Sequence, residues 1–216
     1  MKFIPSILLF FFLLSFSSCS TKTVEPELPD ANPPAPVIPE EPIPEKEKML
    51  WFDAEANFER FSKKENITYY LDLAKSTGFN KIVVDVRPVQ GDALFKSSYL
   101  TPLTDLAGIH IERDWDYLQF FIDEAHKREL KVTVSTTIFT AGLPSSKNGM
   151  AYRDDTWNGK TCLEYTKDQG LIDIKNDKTK VSAFLNPVLP EVQDFCLNFI
   201  KELVTNYDFD GFALDY

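Results

Sequence analysis

Four short apolar runs alternate along this chain with longer segments whose apolar residues recur every three or four positions. The runs lie at 49–52, 81–86, 131–139 and 209–215, and β-branched residues are frequent in the second and third. This alternation is typical of parallel strands joined by helical crossovers, which are right-handed in nearly all proteins. The sequence therefore predicts an α/β domain whose parallel sheet is covered by helices. The first run, which has no polar residue, is predicted to be a buried strand.

The segments between these runs carry start and stop signals for three helices. Ser62 or Asn66 is predicted to cap the first helix, and Asp114 to cap the second. Gly78 stands where the first helix needs a left-handed residue to end. Pro190 is predicted to open the third helix in its first turn, since proline is tolerated there.

Such a sheet can either stay open, as a doubly wound sheet, or close into a barrel. An open doubly wound sheet usually carries a glycine-rich phosphate loop after its first strand, but residues 53–57 contain no glycine. A (β/α)8 TIM barrel places its working residues at the carboxyl ends of its strands. Here those positions hold Asp53 or Glu55, Asp85, Arg87, Thr137 and Asp215. The barrel is therefore the favoured architecture.

The length of the chain fits only part of such a barrel. A (β/α)8 barrel takes about 250 residues and eight strands. The region from Lys48 to Tyr216 offers 169 residues and four predicted strands. We expect residues 49–216 to form roughly the first four β/α units, as a truncated barrel.

Composition narrows the chemistry of the protein. The formal net charge is -10, and no run of Lys and Arg is present, so nucleic acid is an unfavourable partner. With 3 cysteines and 2 histidines, neither a disulfide framework nor a structural zinc site is expected. No Gly-x-Ser-x-Gly elbow occurs. We therefore expect any catalysis or ligand binding to depend on carboxylates, amides and aromatic rings, without a cofactor or metal.

The first residues resemble a bacterial export signal. Lys2 precedes an apolar run from Phe3 to Phe16, and two serines lead directly to Cys19. The run is shorter than the roughly 20 residues that a membrane-spanning helix needs. Residues 1–19 are therefore predicted to be a lipoprotein signal peptide, with Cys19 as the site of lipid attachment. The alternative is an ordinary cleaved signal in which Cys19 has no role.

Residues 20–48 differ in composition from everything that follows. Eight of the 14 prolines lie between Val24 and Lys48, interleaved with Asp and Glu. Proline fixes φ and removes backbone donors, so this segment is predicted to be an extended linker. Together with a lipidated Cys19, it would tether the folded domain to the cell envelope, facing the periplasm or the cell surface.

Several motifs stand in a fixed order along the predicted domain: Arg87-Pro88, Gly91-Asp-Ala-Leu-Phe95, Ala125-His-Lys-Arg128, Leu185-Asn-Pro187 and Tyr207-Asp-Phe-Asp-Gly211 followed by Asp215. Together they resemble the glycosyl-hydrolase-like family 10 domain. The resemblance runs from about Met49 to Tyr216 and covers the N-terminal half of the family domain. It implies a bacterial exported protein with the (β/α)8 fold of a glycoside hydrolase. Many relatives end the fourth strand with two adjacent aspartates, whereas this chain has Asp215 and Tyr216.

Asp215 is the predicted catalytic carboxylate. It ends an apolar strand, where an unpaired charge has no structural use, and glycoside hydrolysis needs two carboxyl groups flanking the scissile bond. A structural salt bridge is the alternative role. Tyr216, beside it, is predicted to bind substrate.

Asp85 and Arg87 are predicted to point to the same face. They either present an acid and a cation to a sugar or form an ion pair with each other. Asn57, Gln90 and Asp92 are predicted to bind sugar hydroxyls from loops near the mouth, although Asp92 can equally form a capped turn beside Gly91.

A long stretch from 140 to about 188 shows little periodicity, and loops of this length are usually functional. Its Tyr152, Trp157 and Tyr165 either stack on sugar rings or anchor the loop. Two hypotheses for the whole chain stay open. The first is an exported glycoside hydrolase that acts on a polysaccharide or cell-wall glycan. The second is a catalytically inactive, truncated carbohydrate-binding or relic lipoprotein.

Overall fold

The computed structural model describes residues 46–216. The predicted signal peptide, Cys19 and nearly all of the predicted linker lie outside the described residues. Glu47 and Lys48, at the end of that linker, contact the folded domain. Lys81 Nζ lies 3.0 Å from a carboxylate oxygen of Glu47, and the Lys48 backbone N–H donates to Asn80 Oδ1 at 2.8 Å. Within the described range, no helix is both long and apolar enough to cross a bilayer.

Four parallel strands form the central sheet. They are β1 (Met49–Phe52), β2 (Lys81–Asp85), β3 (Lys131–Thr137) and β4 (Gly211–Asp215), and they lie side by side in chain order. A doubly wound sheet would reverse its strand order at a switch point, and this sheet does not. The predicted α/β fold with a parallel sheet is confirmed, in the strand order of a barrel. The extent of that barrel stays a prediction.

Three long helices cover one face of the sheet: α1 (Lys64–Ser76), α2 (Tyr117–His126) and α3 (Pro190–Asn206). Two small antiparallel hairpins pair Asp105–Leu106 with Ile109–His110, and Leu163–Thr166 with Gly170–Asp173. One short helix spans Met150–Arg153. Single 3-10 turns occupy Arg60–Ser62, Asp155–Trp157 and Ile174–Asn176.

The strands separate an apolar face from a mixed one. Side chains alternate along a strand, so Phe52, Ile82, Val84, Val132 and Val134 all point toward the helices and are buried. The same alternation sends the residues between them to the opposite face, where Asp85 and Ser135 lie.

The prediction that β1 is buried on both faces is wrong. Met49 and Trp51 are 54% and 52% exposed, whereas Phe52 is 3% exposed. Only the helix side of β1 is covered in the described residues. An unbroken apolar run predicts burial on both faces, but it does not show whether a second layer covers the face opposite the helices.

The helix ends follow some of the predicted signals and not others. Gly78 has φ +87 and ends α1, and Pro190 opens α3, as expected. The predicted caps of the first two helices are wrong. α1 starts after Lys63 without a side-chain cap, and α2 is capped by Asp116, whose carboxylate accepts the backbone N–H of Gln119 at 3.1 Å.

The long third loop is more ordered than its sequence indicates. It contains the short helix Met150–Arg153 and the second hairpin. Trp157 packs edge-on against Phe195 of α3 with ring centroids 4.7 Å apart, and the Tyr152 hydroxyl donates to the Lys175 carbonyl at 2.7 Å. Both side chains anchor the loop. Tyr165 is 78% exposed.

Candidate active site

A cleft of about 290 Å³ opens at the carboxyl ends of the four strands. Asp53 follows β1, Asp85 ends β2, Thr137 ends β3, and Asp215 ends β4. All four line the cleft together with Glu55 and Tyr216. The carboxyl ends of parallel strands meet at one edge, so chain positions more than 160 residues apart come to face the same space.

Asp85 has an unusual environment for a carboxylate. It is partly buried, and the backbone N–H groups of Ala54, 3.5 Å from its Oδ2, and of Arg87 offset that burial only in part. Burial, followed by the nearby charges of Asp53 and Glu55, raises the pKa of Asp85 to about 7. This carboxyl group therefore keeps its proton well above the pH at which an ordinary aspartate loses it.

Asp53 and Glu55 form the wall of the cleft beside Asp85. Asp53 Oδ1 accepts the backbone N–H of Ala56 at 2.7 Å, and Glu55 Oε1 accepts the backbone N–H of Val89 at 3.1 Å. Burial, more than the proximity of Asp53, raises the pKa of Glu55. The sequence indicated one or the other of these residues at the end of β1, and the structure places both in the cleft.

Asp215 lies on the far side of the cleft and is exposed. Its Oδ1 accepts the backbone N–H of Tyr216 at 2.9 Å. In the sheet, Asp215 is in register with Thr137, and Asp85 is in register with Ser135 two residues earlier on β3. Asp85 and Asp215 are thus separated by one whole strand, with roughly 10 Å between their strand axes.

Two aromatic side chains stand at the cleft. Tyr216 is 56% exposed, with its ring stacked on Phe184 at 5.9 Å between centroids, and Trp51 is 52% exposed. Tyr216 was predicted at this position, and Trp51 was not. The alternation of β1 places Trp51 on the face opposite to Phe52, and this signal could have identified it.

Arg87 requires a correction, because it does not line the cleft. Its side chain is fully buried, with its guanidinium 5.1 Å from the Phe199 ring centroid. It donates to the Thr137 carbonyl at 2.6 Å and the Thr140 carbonyl at 2.7 Å. In the described part of the chain, no ion pair joins it to Asp85. Arg87 therefore holds the segment after β3 in place, and both predicted roles are replaced by this structural one.

Gln90 and Asp92 also lie away from the cleft. Both are 2% exposed. Gln90 Nε2 donates to an Asp92 carboxylate oxygen at 2.9 Å and to the Asp105 carbonyl at 3.0 Å. Both terminal nitrogens of Arg153 donate to Asp92. The prediction that these two residues bind sugar hydroxyls is corrected. They join the second loop to the third, because a buried carboxylate needs a cation and donors around it.

Asn57 is half-buried next to the cleft without lining it. Its Nδ2 donates to the Asp53 carbonyl at 3.1 Å, and its Oδ1 accepts from Arg60 at 2.6 Å. It braces the loop that carries Asp53 and Glu55. Across residues 46–216, no three His, Cys, Asp or Glu side chains are arranged to hold a metal ion. Of the predicted site residues, the structure brings Asp85, Asp215 and Tyr216 together.

A family model matches this domain. The family is described as glycosyl hydrolase-like 10, and the match covers residues 47–216. The chain belongs to this family. Relatives that resemble it include an S-layer-related protein of Niallia circulans, 34% identical over 79% of this chain and 11% of that protein. The glycosyl hydrolase DigH of Escherichia coli K12 is 30% identical over 67% of this chain and 32% of its own length. This chain thus spans a third or less of these curated relatives.

Solved structures resemble the fold. A maltogenic alpha-amylase, AmyB from Thermotoga neapolitana, matches with a TM-score of 0.51 over 78% of this chain and 38% of the amylase. At 15% identity this likeness concerns the fold alone. The α/β domain thus resembles the fold of a TIM-barrel glycoside hydrolase.

Proposed function

We propose that this protein is a glycoside hydrolase of polysaccharide or cell-wall glycan, working outside the cytoplasm. Asp85 is the general acid and Asp215 the carboxylate on the opposite side of the scissile bond. One observation carries the proposal: two carboxyl groups in unlike environments face one cleft at the carboxyl ends of the strands. Membership in a glycosyl hydrolase-like family supports it.

The unlike environments assign the two roles. A general acid has to hold its proton until the leaving oxygen needs it, and a pKa of about 7 allows Asp85 to do so near neutral pH. Asp215 is exposed and lies across the cleft from Asp85. Its carboxylate would support the positive charge that develops on the sugar in the transition state. The exposed rings of Tyr216 and Trp51 would stack on sugar faces.

The location rests on the chain before the domain. The signal-like residues 1–19, Cys19 and the proline-rich linker support an exported lipoprotein anchored to the envelope. One relative is an S-layer-related protein, and its name agrees with an envelope location. A glycan is the polymer that a carboxylate-lined cleft in such a location would meet.

Release of reducing ends from purified peptidoglycan and from a panel of soluble polysaccharides tests the proposal. We expect Asp215→Asn and Asp85→Asn each to lower the rate at least about 100-fold, the usual size of a general acid or base contribution. Asp194→Asn, an exposed carboxylate on α3, is the control and should cleave normally. Circular dichroism would show that all three variants are folded.

Two results would overturn the proposal. Cleavage that survives both substitutions would exclude the assigned residues. Binding of a glycan without any release of reducing ends, by the unsubstituted protein, would favour the alternative of an inactive carbohydrate-binding lipoprotein.

A further inference from the structure

The wall of the active-site cleft is assembled from separate loops. Glu55 lies in the loop after β1, Pro88 and Val89 lie in the loop after β2, and Val181 lies in the long loop after β3. These loops are distant in the chain, and the parallel sheet brings them to one edge. A wall of this kind keeps its shape only if its loops are fixed to one another.

The two polar backbone groups of Val89 connect the three loops. Its N–H donates to Glu55 Oε1 at 3.1 Å, and its carbonyl accepts the Ser182 hydroxyl at 2.9 Å. Among residues 46–216, neither group takes part in a backbone–backbone hydrogen bond. Val89 therefore depends on one side chain from the first loop and one from the third.

The Ser182 hydroxyl is committed to this contact. Its side chain is fully buried, and a hydroxyl has a single proton to donate. The Gly142 carbonyl also lies 3.1 Å from this hydroxyl, but it already accepts the backbone N–H of Ala183 at 2.7 Å. The Val89 carbonyl has no other donor in the described part of the chain, so the Ser182 proton satisfies it.

Glu55 makes the corresponding contact from the other side. Within residues 46–216, no Lys or Arg forms an ion pair with it, and Val89 is its hydrogen-bond partner. A carboxylate that accepts a backbone N–H makes a stronger bond than a neutral acceptor does. No hydrogen bond joins Glu55 directly to Ser182 among these residues, so the hydrogen-bonded link from the first loop to the third passes through Val89.

We propose that Glu55 and Ser182 are positioning residues, which hold the backbone of Val89 between them and thereby raise the affinity of the cleft for its glycan. This inference rests on the proposed function, because the wall faces the cleft that contains Asp85 and Asp215. A wall that is ordered before binding reduces the conformational entropy that binding costs. Loss of either contact should therefore weaken binding more than it slows the chemical step.

Hydrogen exchange of the Val89 amide tests the positioning, by NMR on the whole chain without substrate. We expect Glu55→Ala to speed this exchange about five-fold or more, and Glu55→Gln to restore most of the protection, because glutamine keeps an acceptor oxygen. Glu59→Ala, which removes an exposed carboxylate from the same segment, is the control. The Val134 amide, in an inner strand, reports global opening and should exchange alike in all variants. Unchanged Val89 exchange in Glu55→Ala would overturn the proposal.

Ser182→Ala tests the link from the third loop. This substitution leaves the Val89 N–H and its acceptor in place, yet we expect it to speed Val89 exchange about three-fold or more, because the unpaired carbonyl loosens the segment. Ser146→Ala, at an exposed position of the same loop, is the matched control and should have no effect. The double variant Glu55→Ala/Ser182→Ala should change the exchange by less than the product of the two single effects, since both act through one residue. Effects that multiply would refute the link.

Cleavage of purified peptidoglycan gives the functional comparison. We expect Glu55→Ala and Ser182→Ala to raise the apparent KM about three-fold or more while kcat falls less, and Glu55→Gln to recover most of that change in KM. A fall in kcat alone would refute the role in binding. Because exchange is measured without substrate, altered Val89 exchange in a protein that hydrolyses no glycan would overturn only the proposed function. Hydrolysis with unaltered Val89 exchange in the variants would overturn only this inference.

Discussion

Asp85 shows how the surroundings of a carboxyl group, burial above all, distinguish it from others of the same type. The cation nearest in sequence, Arg87, is buried elsewhere and bonded to backbone carbonyls. No ion pair among the described residues offsets the burial of Asp85, so that burial, with the charges of two acidic neighbours, raises its pKa to about 7. Burial also lowers the pKa of Arg87 to about 10, which still leaves the guanidinium charged at neutral pH.

The raised pKa makes stability depend on pH. Protonated Asp85 is favoured in the folded state, so its stabilising contribution is complete below about pH 4 and lost as pH rises through 7. We expect Asp85→Asn to remove this dependence and to be about 2–4 kcal/mol more stable than the unsubstituted protein at pH 8. Urea unfolding at pH 5 and pH 8 measures the difference. A stability gap that is the same at both pH values would contradict the raised pKa.

Arg87 is a second residue whose role depends on its surroundings. Its guanidinium satisfies the carbonyls of Thr137 and Thr140, while its Nε has no hydrogen-bond partner in the described structure. Loss of the two guanidinium N–H donors would leave these buried carbonyls without a hydrogen-bond partner.

We therefore expect Arg87→Lys to lower the free energy of unfolding by about 2–4 kcal/mol, since lysine cannot reproduce two diverging donors. Thermal or urea unfolding measures it. Arg128→Lys, at a more exposed ion pair with Asp72, is the matched comparison and should cost less than about 1 kcal/mol. Equal costs would mean that burial does not decide the role of Arg87.

Among the elements, α2 shows how tertiary contacts select a cap. Asp114 and Asp116 both precede the helix, and either residue type can cap it. Asp116 carries the cap, and its second carboxylate oxygen also accepts the Tyr207 hydroxyl at 2.8 Å. Tyr207 follows α3, so a residue about 90 positions away in the chain favours this start of the helix.

Exchange of the two aspartates tests that selection. We expect Asp116→Ala to lower the free energy of unfolding by about 1–3 kcal/mol, through the lost cap and the unpaired Tyr207 hydroxyl. Asp114→Ala, at an exposed position, should change it by less than about 0.5 kcal/mol. Chemical denaturation of both variants provides the values. A larger loss of unfolding free energy in Asp114→Ala than in Asp116→Ala would show that Asp114 caps the helix, as the sequence predicted.

At the scale of the whole molecule, the sheet brings distant chain positions to one edge, and among residues 46–216 its two outer strands each have a single partner. In the described residues, β1 pairs with β2 alone and β4 with β3 alone. Exposed apolar side chains lie on both outer strands, among them Met49 and Leu214. Edges of this kind pair readily with other chains.

We expect residues 46–216, prepared as a separate fragment, to self-associate as their concentration rises, which sedimentation velocity would detect. Met49→Lys on β1 should weaken this association, because a charge on an edge strand opposes pairing. Leu197→Lys, which replaces an exposed apolar residue on α3, should leave it unchanged. A monomer at every concentration would mean that these edges do not pair.

The sequence by itself determined the α/β class, the four strands, the buried stripes of the helices and the family. Each depends on local periodicity or on short motifs, which one stretch of chain contains in full. It also placed Asp85, Asp215 and Tyr216 at strand ends, and the structure gathers these three in one cleft.

Only the tertiary structure decided which polar residues face the cleft and which lie beneath it. Arg87, Gln90 and Asp92 follow the same strand as Asp85, yet all three are buried in contacts with the loop after β3 or with Arg153. Trp51 is exposed although it lies in an apolar run. Burial is a property of what packs across from a side chain, and those partners lie tens of residues away in the sequence.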